Sequence, residues 1–103
     1  MDSGLIHSTL ERYFQDGLVD LIIHGGAAGA DSSAGEWARS KYGVHEVKVN
    51  ANWYLHGKAA GPMRNAAMLL LKPDLVIAFP GDRGTAHMVK LAREAGVEVV
   101  EID

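Results

Sequence analysis

The chain contains no cysteine, which excludes a disulfide, a thiolate nucleophile and any cysteine-based zinc site. It has no long hydrophobic run either. The longest strongly apolar stretch, Met68 to Leu71, is far too short to cross a bilayer, so no membrane partner is expected. No basic stretch followed by an apolar one opens the chain, so no signal peptide is expected and a cytoplasmic location is. Excess positive charge is missing too: the formal net charge is -3 and the pI near 5.9, against a constitutive nucleic-acid binder. Acidic residues are themselves absent from Val49 to Lys72, where Lys58, Arg64 and Lys72 supply cations and suggest an anion-receiving surface.

What is present is ordinary for a folded domain. Of 103 residues, 48% are hydrophobic and 22% charged, enough for one domain and not the composition of disorder. No internal repeat, linker or low-complexity stretch divides residues 1–103, so a single domain is expected. Leu5, Ile6, Leu10, Tyr13 and Phe14 recur at helical spacing and predict a helix over 4–16 that ends near Gly17. A strand is expected over 18–23. Ser32 to Tyr42 reads as a helix with Ala34, Trp37, Ala38 and Tyr42 on its apolar face and Gly43 as its stop. A strand over 44–49 follows, then an irregular segment to Gly61, and a helix with Pro62 in its first turn that runs to about Leu71. Leu75 to Phe79 is a second apolar strand. Thr85 is expected to cap a helix to Ala95, Gly96 to end it, and 97–102 to form the last strand.

Strands alternating with helices predict an α/β fold: a small Rossmann-like, three-layer αβα domain whose mainly parallel sheet has about four strands. Ligands of such sheets bind beyond the carboxyl ends of the strands. Two glycine-rich turns fall there. His24-Gly25-Gly26-Ala27-Ala28-Gly29-Ala30-Asp31 follows the first strand, and Pro80-Gly81-Asp82-Arg83-Gly84-Thr85 follows the third. A strand, a glycine-rich turn and a helix N-terminus bring bare backbone N–H groups together, an arrangement that favours phosphate oxygens.

Individual residues sharpen the expectation. Gly25, Gly26, Ala27 and Gly29 in the first turn, and Pro80, Gly81, Asp82, Arg83, Gly84 and Thr85 in the second, are candidate ligand contacts. Asp31 reads first as a helix-start residue that caps N–H groups and complements the dipole, with a ligand role as the alternative. Arg64 offers a planar fork for phosphate and Lys58 a point charge. Asn65 suits a base or a ribose hydroxyl. Trp53 and Tyr54 fit either base stacking or packing on another chain. His24 and His87 border the two turns and could donate to a phosphate. Trp37 is expected in the core. The histidines show no metal-ligand spacing, so neither a metal nor a cofactor is expected. Ser32 and Ser33 lack a nucleophile-elbow pattern, and no catalytic residue is assigned.

Three motifs in order carry a resemblance: Ile23 to Asp31; Trp53 followed by His56-Gly57-Lys58-Ala59-Ala60-Gly61-Pro62-Met63-Arg64-Asn65-Ala66-Ala67-Met68; and Pro73-Asp74-Leu75 to Ala86. Over roughly residues 18–103 the chain resembles the YspA-type, cpYpsA-related branch of the SLOG superfamily, a Rossmann-like group that includes the LONELY GUY phosphoribohydrolases and the DNA-uptake protein DprA. The resemblance implies binding of a nucleotide-derived small molecule, such as ADP-ribose, a cyclic ADP-ribose-like signal or a nucleoside phosphate. It also suggests a setting in defence signalling, phage or prophage. Members usually open with one further strand and a Gly-Gly-Arg turn, which this sequence lacks. The strands at 18–23 and 75–79 are then expected to close up, or a second chain to cover the gap. A homodimer or higher homo-oligomer is expected, with Leu5, Leu10 and Phe14, or Met63 and Leu70, as interface candidates.

The LONELY GUY enzymes place a Glu after the second glycine-rich turn, facing an Arg that Arg64 matches. Here Ala86-His87-Met88-Val89 holds no carboxylate, and cleavage of an N-glycosidic bond needs one. The resemblance therefore implies sensing or sequestration ahead of turnover. A phosphoribohydrolase is the alternative, and a DprA-like single-stranded DNA module ranks third.

Overall fold

The computed structural model describes residues 3–81 and 83–103. The chain divides into two units, Met1–Val49 and Asn50–Asp103, the first built as helix, strand, helix, strand and the second in the same order with a short helix and a 3-10 turn ahead of it.

In the first unit, α1 (Ser3–Gln15) precedes β1 (Leu21–His24), α2 (Ala30–Arg39) and β2 (His45–Lys48). The helical spacing read from Leu5 to Phe14 buries Ile6, Thr9 and Leu10 against α2, whose Trp37 and Ala38 complete the core. The rings of Phe14 and Trp37 meet edge to face at 5.8 Å. Leu10, expected as an interface residue, is 3% exposed and belongs to this core. The predicted stop at Gly17 is found. With φ of 74° it closes α1 through Gly17 N–H to Phe14 O and Leu18 N–H to Tyr13 O, a Schellman pair.

That closure shortens the strand predicted to begin at Leu18, because the Leu18 amide is already committed to α1 and the ladder starts at Leu21. The second helix also differs from expectation. It begins at Ala30 and ends at Arg39, where the Ser40 hydroxyl donates to Trp37 O at 2.6 Å, so Tyr42 lies past the helix, fully exposed. β1 and β2 are parallel, with Ile22 opposite Glu46 and His24 opposite Lys48.

The second unit contains the short α3 (Trp53–His56), a 3-10 turn (Gly57–Ala59), α4 (Ala60–Leu70), β3 (Leu75–Ala78), α5 (Arg83–Glu94) and β4 (Glu98–Glu101). The segment expected to be irregular is thus helical in part: Asn52 caps α3, its Oδ1 accepting from Leu55 N–H. Pro62 sits in the first turn of α4 as predicted. Thr85 does not cap α5, because the helix already begins at Arg83 and places Thr85 inside its first turn. Gly96 ends α5 with φ of 77° and the same Schellman pair, Gly96 N–H to Arg93 O and Val97 N–H to Ala92 O. β3 and β4 are parallel, Leu75 opposite Glu98, and Ala78, Phe79, Val89 and Ala92 are buried around them.

The α/β class and the parallel pairing agree with the sequence pattern. The hydrogen-bonded ladders, however, form two sheets of two strands each, where the pattern predicts one sheet of about four. No described helix is long and apolar enough to cross a membrane.

Candidate functional site

Both glycine-rich turns follow the first strand of their unit, as the strand–turn–helix pattern requires.

The first turn is filled from within. Oδ2 of Asp31 accepts from Gly25 N–H and from Ala27 N–H, each at 3.2 Å, and so occupies the place an anionic oxygen would take. The Gly26 amide donates to Nδ1 of His24 at 3.0 Å. Positive φ at Gly26 (73°) and Gly29 (85°) lets the chain turn back on itself there. Asp31 thus lies in the first turn of α2 as expected, where it complements the dipole, but its carboxylate holds amides of the preceding turn and does not cap the helix.

His24, expected as a possible phosphate donor, has both ring nitrogens engaged. It is 5% exposed, and its Nε2 lies 2.5 Å from Oε2 of Glu46. Because Nδ1 accepts a backbone N–H, the proton of the neutral ring sits on Nε2 and is donated to Glu46. Nη1 of Arg39 reaches both carboxylate oxygens of Glu46, at 2.8 and 2.7 Å. These donors, His24 first and Arg39 next, hold the Glu46 carboxyl below the usual carboxylate range. Gly35 makes room for the network, since a Cβ there would meet Oε2 of Glu46 and stand 2.8 Å from Nε2 of His24.

Sequence reading misses Arg39 and Glu46. The signal was there in the register: Glu46 is opposite Ile22, hence on the same sheet face as His24 and diagonal to it.

The second turn and its surroundings lie in the other unit. Asn65 is 3% exposed, and its amide joins α4 to the start of α5. Its Oδ1 accepts from Nε of Arg64 at 3.1 Å, while Nδ2 donates to Gly84 O at 3.2 Å and faces Nδ1 of His87 at 3.1 Å. Four residues named from sequence, Arg64, Asn65, Gly84 and His87, are therefore brought together. Arg83 is exposed at the first position of α5, and Asp82 lies outside the described residues. Gly81 is glycine for reasons of approach, because a Cβ there would collide with the Thr85 side chain.

A cleft of about 390 Å³ opens beyond the carboxyl ends of β3 and β4, lined by Pro80, Gly81 and Thr85 but also by Glu101 and Asp103. Arg64, Asn65 and His87 do not line it. Trp53 rests on α4, its ring 3.2 Å from the Cβ position of Gly61, with 59% of the residue still exposed. Lys58 and Tyr54 are exposed. Among the described residues, no three His, Asp or Glu side chains gather as metal ligands.

Chemically, the second unit offers a guanidinium held by a buried amide, a neighbouring imidazole and a seated aromatic face. These are parts suited to an anion and to a planar group. The sequence profile of the YspA, cpYpsA-related SLOG family matches residues 1–56. The chain is also similar to the Gene 61 protein of Mycobacterium phage D29, 40% identical over 86 residues that cover 78% of this chain and 69% of the phage protein. No solved structure matches it.

Proposed function

The chain belongs to the YspA, cpYpsA-related SLOG family, and we propose that it binds a nucleotide-derived small molecule, of the ADP-ribose, cyclic ADP-ribose or nucleoside phosphate type, for sensing or sequestration. The observation that supports this most is the cluster of Arg64, Asn65, Gly84 and His87, with the guanidinium oriented through Nε by a buried side chain. A guanidinium oriented in this way has the planar, charged chemistry that suits a phosphate, and the α5 dipole adds to the attraction. Lys58 supplies further positive charge, and Trp53 or Tyr54 a face for the base. In this reading Pro80, Gly81, Asp82, Arg83, Gly84 and Thr85 form the main phosphate loop. Gly25, Gly26, Ala27 and Gly29 form a second one that a phosphate enters only by displacing the Asp31 carboxylate.

Family membership supports the finer fold reading, a Rossmann-like domain with one sheet of about four strands. A homodimer belongs to the same proposal. Calorimetric titration of the full chain with ADP-ribose is expected to show saturable binding, and mass spectrometry to recover the ligand unchanged. Arg64→Ala with an unaltered circular dichroism spectrum is expected to weaken binding by about tenfold or more. Unchanged affinity removes Arg64 from the site. Arg64 alone favours the second reading, a phosphoribohydrolase, and release of free base from a nucleoside monophosphate in proportion to protein would establish it. Retention of single-stranded DNA at moderate salt would instead favour the DprA-like reading.

A further inference from the structure

The orientation of the Asn65 amide is decided by its partners. Turned over, it would set Oδ1 against the Gly84 carbonyl oxygen and Nδ2 against the Arg64 Nε–H, two contacts of like with like. In the orientation found, one Nδ2 hydrogen serves Gly84 O and the other points at Nδ1 of His87. A nitrogen facing an N–H must offer a lone pair, so the proton of the neutral His87 ring is carried by Nε2. That Nε2 makes no hydrogen bond among the described residues, and no unpartnered side-chain nitrogen among them is buried. It is an open donor.

We propose that Asn65 is a positioning residue that locks His87 as the Nε2–H tautomer, so that His87 donates to a phosphate oxygen of the ligand instead of acting as a base. The locked tautomer stands by itself, while its ligand rests on the nucleotide-binding reading above. It separates a phosphate donor from the other two roles an imidazole can play, metal ligand and general base. A metal ligand or a general base needs a lone pair facing the bound group, and here that lone pair is turned inward to Asn65. A phosphate oxygen, which only accepts, is the matching chemistry.

Two experiments on the full chain test this. Long-range proton–nitrogen spectra of nitrogen-15-labelled protein, taken at about pH 8 where imidazole rings carry one proton, are expected to show His87 as a single Nε2–H tautomer. Loss of the signals in His87→Gln assigns them. In Asn65→Ser the ring is expected to relax to the tautomer mixture of a solvent-exposed histidine. An Nδ1–H signal, or a mixture in the unaltered protein, overturns the proposal whether or not any ligand binds.

The second experiment titrates ADP-ribose. Gln places an N–H donor close to where Nε2 sits, whereas Asn reaches only as far as Nδ1. His87→Gln is therefore expected to bind within about threefold of the unaltered chain, and His87→Asn at least about tenfold more weakly. Equal loss in both variants, or none in either, overturns the donor role. If the unaltered chain does not bind ADP-ribose, the functional reading fails while the spectra still decide the tautomer.

Discussion

At the scale of single residues, Asp31 shows how one carboxylate can settle the character of a loop. Its Oδ2 gathers two backbone amides and sits at the start of α2, where negative charge complements the helix dipole. Asp31→Ala would take that carboxylate acceptor away from both amides. The expected cost is about 1–3 kcal/mol of unfolding free energy, read by urea denaturation, with Asp31→Asn intermediate. No change would mean that water replaces the carboxylate without loss. Gly35→Ala is expected to cost a similar amount, about 1–3 kcal/mol, although alanine is the better helix former. The added carbon would displace Glu46, which cannot move without parting from His24 and Arg39. At this scale the sequence was legible where a residue acts on near neighbours: Asp31 at a helix start, Trp37 on an apolar face. It was opaque for Glu46 and Arg39, whose partners are brought in by strand register and not by sequence distance. His87 is the intermediate case, since its place beside a turn could be read but its hydrogen-bonding partner could not.

At the scale of elements, the helix ends marked by Gly17 and Gly96 were well read, whereas the end of α2 was placed three residues late and the starts of α2 and α5 two residues late. Gly17 and Gly96 each adopt positive φ and each closes a Schellman pair, which is why a glycine after a periodic run is so informative. Starts depend on which side chain takes the first free amides. A Thr two residues inside α5 looks the same in sequence as one at its cap. The end of α4 uses a costlier device. Leu71 and Lys72 finish the helix through N–H bonds to Met68 O and Leu69 O, and Lys72 takes φ of 57°, the one non-glycine residue at positive φ among those described. A left-handed conformation costs an L-residue about 1–2 kcal/mol, partly offset in a glycine by its greater freedom when unfolded. Lys72→Gly is therefore expected to raise thermal stability slightly, and Lys72→Ile, branched at Cβ, to lower it. The reverse order would show that the Lys72 side chain contributes more than its backbone costs.

At the scale of the whole chain, the α/β class followed from alternation alone, because short apolar strands separated by helices leave parallel pairing as the economical solution. How many strands join one sheet did not follow, since each βαβ segment closes its own pair and nothing in its pattern names a further neighbour. Acid sensitivity of the whole chain is expected from two carboxylates of the first unit. Lys41 and Gln15, with Trp37, hold Glu11 at about 2, down from 4.5, and the partners of Glu46 lower it as well. Above 4.5 a carboxylate such as Glu11 is ionised in folded and unfolded chains alike, and its whole contribution is present. As pH falls from 4.5 towards 2 the unfolded chain takes up the proton first, so stability declines through that window and the contribution is gone below it. Urea midpoints of the unaltered protein are thus expected to fall between pH 4.5 and about pH 2. Glu11→Gln should start lower at neutral pH, because Lys41 loses its partner, and then fall less steeply, so that the two curves converge in acid. Glu46→Gln should behave in the same sense. Parallel curves for all three proteins would mean that these carboxylates titrate alike folded and unfolded, and that acid acts through other groups.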